Sequence, residues 1–114
     1  MNTDAAIKEL DHRIKESKKT LDLGQSLERL RNNRDFKRVV LEGYFCEEAI
    51  RLVSLKQEPQ VQSKDSQESI VRQIDAIGTF QGFLREIDRQ TDQAVKTIED
   101  CEQMREEILA EGDE

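Results

Sequence analysis

Large side chains are scarce in this chain. Tryptophan is absent, aromatics make up 4% of the 114 residues and proline occurs once, at Pro59. So few bulky groups argue against a thick globular core, and a chain this short buries only a modest share of its surface. Long apolar runs are missing too. The longest, such as Val39-Val40-Leu41, fall far below the roughly 20 residues that span a bilayer. Residues 1–10 lack a basic region followed by an apolar run, so no secretory signal is expected. The chain is expected to be soluble and intracellular when made. There is one histidine, His12, set in a polar stretch, and it reads as a surface residue rather than a base or ligand. Cys46 and Cys101 stand alone on apolar faces and read as buried hydrophobes, not as a disulfide or a metal pair.

What is present is charge and helical spacing. Charged residues make up 38% of the chain and apolar ones 35%, a composition typical of long solvated helices. Disorder is the competing reading of such a composition, and the regular apolar periodicity argues against it. A first segment runs from about Asp4 to Leu21, with Ile7, Leu10, Ile14 and Leu21 on one stripe. Leu23-Gly24 weakens the pattern before Leu27 and Leu30 resume it, which leaves one bent helix or two short ones open. Asn32 and Asn33 suit the cap of a second helix, from about Arg34 to Leu55. Its apolar face is wider than a two-residue seam and is expected to be gripped from two sides, with Phe36, Val40, Phe45 and Ile50 in the core.

Residues 56–64 form a polar linker interrupted by Pro59. Asp65 and Glu68 then read as a capping box opening a third helix to about Ala110, with Gly112 as its stop. About 45 residues at 1.5 Å per residue give a rod of roughly 70 Å. Its heptads can be counted. Ile77, Leu84, Thr91, Ile98 and Arg105 fall seven apart, and Phe80, Ile87, Ala94, Cys101 and Ile108 follow each by three. Thr91, Ala94 and Arg105 make the later seam weaker and more polar.

The fold class expected is therefore all-α: a helical hairpin or three-helix arrangement with a long C-terminal coiled-coil-type helix. Residues 1–55 supply the N-terminal helices, 56–64 the linker and 65–114 the long helix, in one domain. Ile77, Phe80, Leu84 and Ile87 are expected in the internal core. The second helix is too short to cover the third, so the heptads from about Thr91 onward need a partner, either the first helix folded back or another chain. If another chain, the seam is expected at Ile98, Cys101, Met104 and Ile108. Gly78 and Gly82, four apart near Ala76, would let a helix approach closely beside Phe80 and Phe83.

The net charge of −7 is concentrated. Residues 99–114 hold eight acids (Glu99, Asp100, Glu102, Glu106, Glu107, Glu111, Asp113 and Glu114) against Arg105 alone, whereas residues 1–98 hold seventeen acids and seventeen bases. Residues 13–38 carry nine bases against four acids. One reading is a solvated helix end and a solvated basic face. The other is an acidic tip, with Glu106, Glu107 and Glu111 as contact residues, docking on a basic surface of a partner or a neighbouring copy; head-to-tail contact of that kind builds rings or filaments. Acids at a helix C-terminus also oppose the helix dipole. Nucleic acid is not expected as a partner, because the basic stretch lacks interleaved aromatics and the overall sign repels phosphate.

No motif for metal, phosphate or nucleophilic chemistry is present, so no enzyme activity, catalytic residue, metal or cofactor is expected. Acid pairs such as Asp88 and Asp92 are expected by chance when 25 of 114 residues are acidic. The stretch RLRNNRDFKRVVLEGYFCEEAIRLVSL (Arg29 to Leu55), the short linker around Pro59, and IVRQIDAIGTFQGFLREI (Ile70 to Ile87) resemble small helical proteins of tailed bacteriophages, of the sort encoded among head and portal genes. The resemblance spans about half the chain. It implies a role in the virion or its assembly, located in the particle or the host cytoplasm, and it carries over no functional residues. The expected function is thus a non-enzymatic, homo-oligomeric or assembly-bound structural protein acting through helix–helix contacts. The alternative is a small acidic regulatory module that occludes the surface of a host protein.

Overall fold

The computed structural model describes residues 3–112, which form three helices and no strand. Helix α1 spans Thr3–Arg31 without a break. Helix α2 covers residues 34–55, and α3 spans Lys64–Gly112. The fold class is all-α. Packing divides the residues into two compact units: one holds the described residues through Ser26 and from Ile87 onward, the other residues 27–86.

The unit of residues 27–86 is a helical hairpin. Asn33 opens α2 with an extended backbone (φ −73°, ψ 126°), and its Oδ1 accepts the Phe36 amide at 2.9 Å. That bond satisfies one of the donors orphaned at a helix start. Asn32 serves the other side of the corner: its Nδ2 donates to the Glu28 carbonyl at 2.9 Å, near the end of α1. From Lys37 to Glu48 the helix is wound in the wider π form, with α-helical residues on either side. π-Helices are usually single-turn bulges, so twelve residues is long. Gly43 sits within this stretch, where a Cβ would come within 3.0 Å of the Arg38 carbonyl.

Residues that join α2 to α3 are held by side-chain amides. Pro59 starts a short 3-10 turn, Pro59–Val61, after Glu58 in the extended conformation that a following proline favours. Gln62 Nε2 donates to the carbonyls of Lys56 (2.9 Å) and Glu58 (2.7 Å). Gln67, already on α3, donates to Lys56 (3.0 Å) and Val61 (2.9 Å). Together they bond the Lys56 carbonyl at the end of α2 and the carbonyls of Glu58 and Val61 in the connecting segment. The cap of α3 is Ser63, whose Oγ accepts the Ser66 amide at 3.2 Å. The capping box expected at Asp65 lies inside the helix instead, two residues past this cap.

Leu52, Ile70 and Ile77 form the buried centre of this hairpin, with Tyr44, Phe45, Ala49, Leu55, Val61 and Ile74 packed on it. Phe45 and Phe80 stack at 5.3 Å between ring centroids, tilted, with Tyr44 beside both. Leu84 is buried, while Phe36, Val40, Phe45 and Phe80 are only half-buried. Ile50 departs from expectation. It is 67% exposed, because it sits about 200° around the helix from Leu52, the residue that meets α3. Val39 and Val53 are likewise exposed, so α2 is gripped from one side only.

In the other unit α1 runs antiparallel to the distal part of α3. Leu10 and Ile14 close over Cys101, which is 1% exposed, and Ile108 packs against the same cluster. Further along, Gly24 of α1 meets Thr91 of α3. Ile87 and Ala94 are buried in the same unit.

Candidate interaction surfaces

The distal heptads of α3 looked weak as a seam because Thr91, Ala94 and Arg105 interrupt the apolar pattern. Thr91 and Arg105 are both matched on α1. A Cβ on Gly24 would lie 2.9 Å from the Thr91 Cβ and would also collide with both branches of that side chain. The absence of a side chain at Gly24 therefore lets the two backbones approach closely. Thr91 is fixed in place, since its Oγ1 donates to the Ile87 carbonyl at 2.7 Å. Arg105 reaches Asp11 at 2.9 Å. Both groups are well exposed, so this ion pair adds little stability.

The seam expected between chains is accordingly divided. Cys101 and Ile108 are used within the chain, by α1, and do not form a free contact surface; this corrects the intermolecular assignment of Cys101 and Ile108. The physical reason is that α1 is one continuous 29-residue helix, long enough to reach these positions once Gly24 does not break it. Ile98 is half-buried, whereas Met104 is 47% exposed. Glu106, Glu107 and Glu111 are exposed with Glu99, Asp100 and Glu102. Asp113 and Glu114 lie outside the described residues. Cys46 is exposed, not the buried hydrophobe expected of it.

Electrostatics in both units are those of solvated helices. Glu16 is held below the usual carboxylate range by the Lys19 ammonium, which donates to it at 2.9 Å. Arg51 donates to Glu48 at 2.6 Å. Of the basic stretch, Arg34, Lys37 and Arg38 line a surface notch with Asn32 and Glu42 at the start of α2. A second notch on the hairpin is lined by Leu41, Phe45 and Leu84 together with Arg31, Gln81 and Arg85. His12 is exposed. Among the described residues no three His, Cys, Asp or Glu side chains converge to hold a metal ion. No helix among them is long and apolar enough to cross a membrane.

No family model, curated protein or solved structure matches this chain. The chemistry its surfaces offer is helix contact. Among the described residues ten large hydrophobics are exposed, as many as the residues of its buried core. Sequence reasoning missed the contact of Gly24 with Thr91, the Gln67 clamp and the π stretch. The first left a signal: a glycine in α1 and small residues in the α3 heptads are two halves of one close approach.

Proposed function

We infer that this chain is a structural or assembly component of a phage particle, working through its helical faces. The observation that carries this reading is the exposed apolar surface on a well-packed helical framework. Val39, Ile50 and Val53 on α2, Phe83 on α3, and Met104 and Leu109 near the end of α3 are all more than 40% exposed. Isolated surface hydrophobics are ordinary, but repeated ones on amphipathic helices mark faces that other helices cover. The likeness of residues 29–55 and 70–87 to small helical phage proteins directs the reading toward the virion. The site of action is then the particle or the cytoplasm in which it is assembled.

The exposed acids near the end of α3 favour one competing role, a regulator whose acidic helix covers a basic host surface. Copy number separates the two. Quantitative peptide counting on purified particles of the encoding phage should find this chain in a fixed number of copies per particle. Absence from particles, together with stable co-purification of a host protein from infected cells, would establish the regulator instead.

A further inference from the structure

Within the hairpin unit, no described residue packs on the glycines along one face of α3. Val71, Asp75, Gly78, Gly82 and Arg85 lie along it within a narrow arc at 100° per residue. Val71 is 40% exposed, and Asp75, Gly78 and Arg85 are exposed as well. A Cβ built on Gly78 or Gly82 meets nothing within 4 Å. Packing among the described residues therefore does not require either glycine, and each costs about 1 kcal/mol of helix propensity relative to alanine. Gly24 is the contrast, since a Cβ there collides with Thr91.

The charges on this face say what covers it. Asp75 and Arg85 stand five residues to either side of the midpoint between the glycines, about 7.5 Å along the axis. Among the described residues neither has an ion-pair partner. Turning the helix end for end about that midpoint brings Asp75 of one copy level with Arg85 of the other, twice. A parallel pairing would instead set Asp75 against Asp75 and Arg85 against Arg85. The face is thus complementary to itself in the antiparallel sense only, as an isologous two-fold contact requires.

We propose that this face of α3 binds a second copy of the chain, antiparallel, with the two-fold axis passing between Gly78 and Gly82. The glycines bring the helices to the short end of the usual 8–10 Å interaxial range. The two Asp75–Arg85 pairs fix direction and register. The dimer rests on the reading of this chain as a helix-contact protein and supplies its partner and its face. It does not require the particle.

The test uses the full chain and sedimentation equilibrium over a range of concentrations. The wild type should show a reversible species of twice the 13.3 kDa chain mass. Gly78→Leu with Gly82→Leu should weaken dimerisation about tenfold or more by steric clash, while leaving the monomer helical by circular dichroism and its melting temperature no lower than that of the wild type. Asp75→Arg should weaken it at low salt, and adding Arg85→Asp should restore it. A wild type that stays monomeric, a dimer indifferent to the leucine pair, or a charge swap that fails to rescue would each overturn the proposal. A monomer still counted in purified particles would overturn the dimer alone and leave the particle role standing.

Discussion

The two units pack helices by opposite means. All five aromatic residues (Phe36, Tyr44, Phe45, Phe80 and Phe83) lie within residues 27–86. There the core is built from size: rings of Tyr44, Phe45 and Phe80 over Leu52, Ile70 and Ile77, on a helix widened to π geometry. The other unit has no aromatic at all and works by close approach. Gly24 meets Thr91, and Leu10 and Ile14 close on the small Cys101 side chain. Small residues let backbones near one another and gain dispersion contacts from many short approaches, whereas large ones fill a wider gap with a few side chains. A heptad pattern weighted toward big apolar groups therefore underrates the second strategy.

Breaking the aromatic unit should have the largest effect. Leu52→Asp places an unpaired charge at a position 1% exposed and should cost about 4 kcal/mol. Urea titration followed by circular dichroism checks it, and an unchanged midpoint would mean that Leu52 is not central. Glycines sharpen the comparison because the same substitution should have opposite signs in the two units. Gly24→Ala should destabilise by up to about 2 kcal/mol, the overpacking cost of about 1–3 kcal/mol less a gain of about 1 kcal/mol in helix propensity. Gly78→Ala, measured at concentrations where the chain is monomeric, should stabilise by about 1 kcal/mol. Equal shifts in thermal melting would remove the distinction between close approach and open surface.

Two smaller changes test one detail in each unit. Asn33→Ala removes the α2 cap in the aromatic unit and should cost about 1 kcal/mol. In the other unit, Asp11→Ala breaks the exposed pair with Arg105 and should cost about 0.5 kcal/mol or less, vanishing in high salt. A loss at Asp11 larger than that at Asn33 would show that the pair contributes more than a solvated surface pair does.

Much of the local structure was legible in residues 3–112 before any tertiary contact was known. Apolar spacing marked the helices, Asn32-Asn33 marked the corner before α2, and Pro59 marked the turn into α3. Burial of Ile77, Leu84 and Ile87 follows from heptad positions, since the 3.5-residue repeat keeps one stripe facing a neighbour. The contact surface was harder to read. Cys101 and Ile108 have the right spacing for a seam, but spacing identifies a face and not what covers it. Ile50 misled for a related reason: a wide apolar helix face does not say which side will be covered.

By itself the sequence determined that the chain is helical, roughly where α2 and α3 begin and end, and the stripes available for packing, because these depend on propensity, capping and periodicity within a few residues. Tertiary structure alone decided that α1 runs straight through Gly24, that it covers Cys101, and that Gly78 and Gly82 face open space. Those outcomes depend on which distant residue lies opposite. A glycine breaks a helix, admits a neighbour or waits for one according to what stands across from it, and no local rule contains that information.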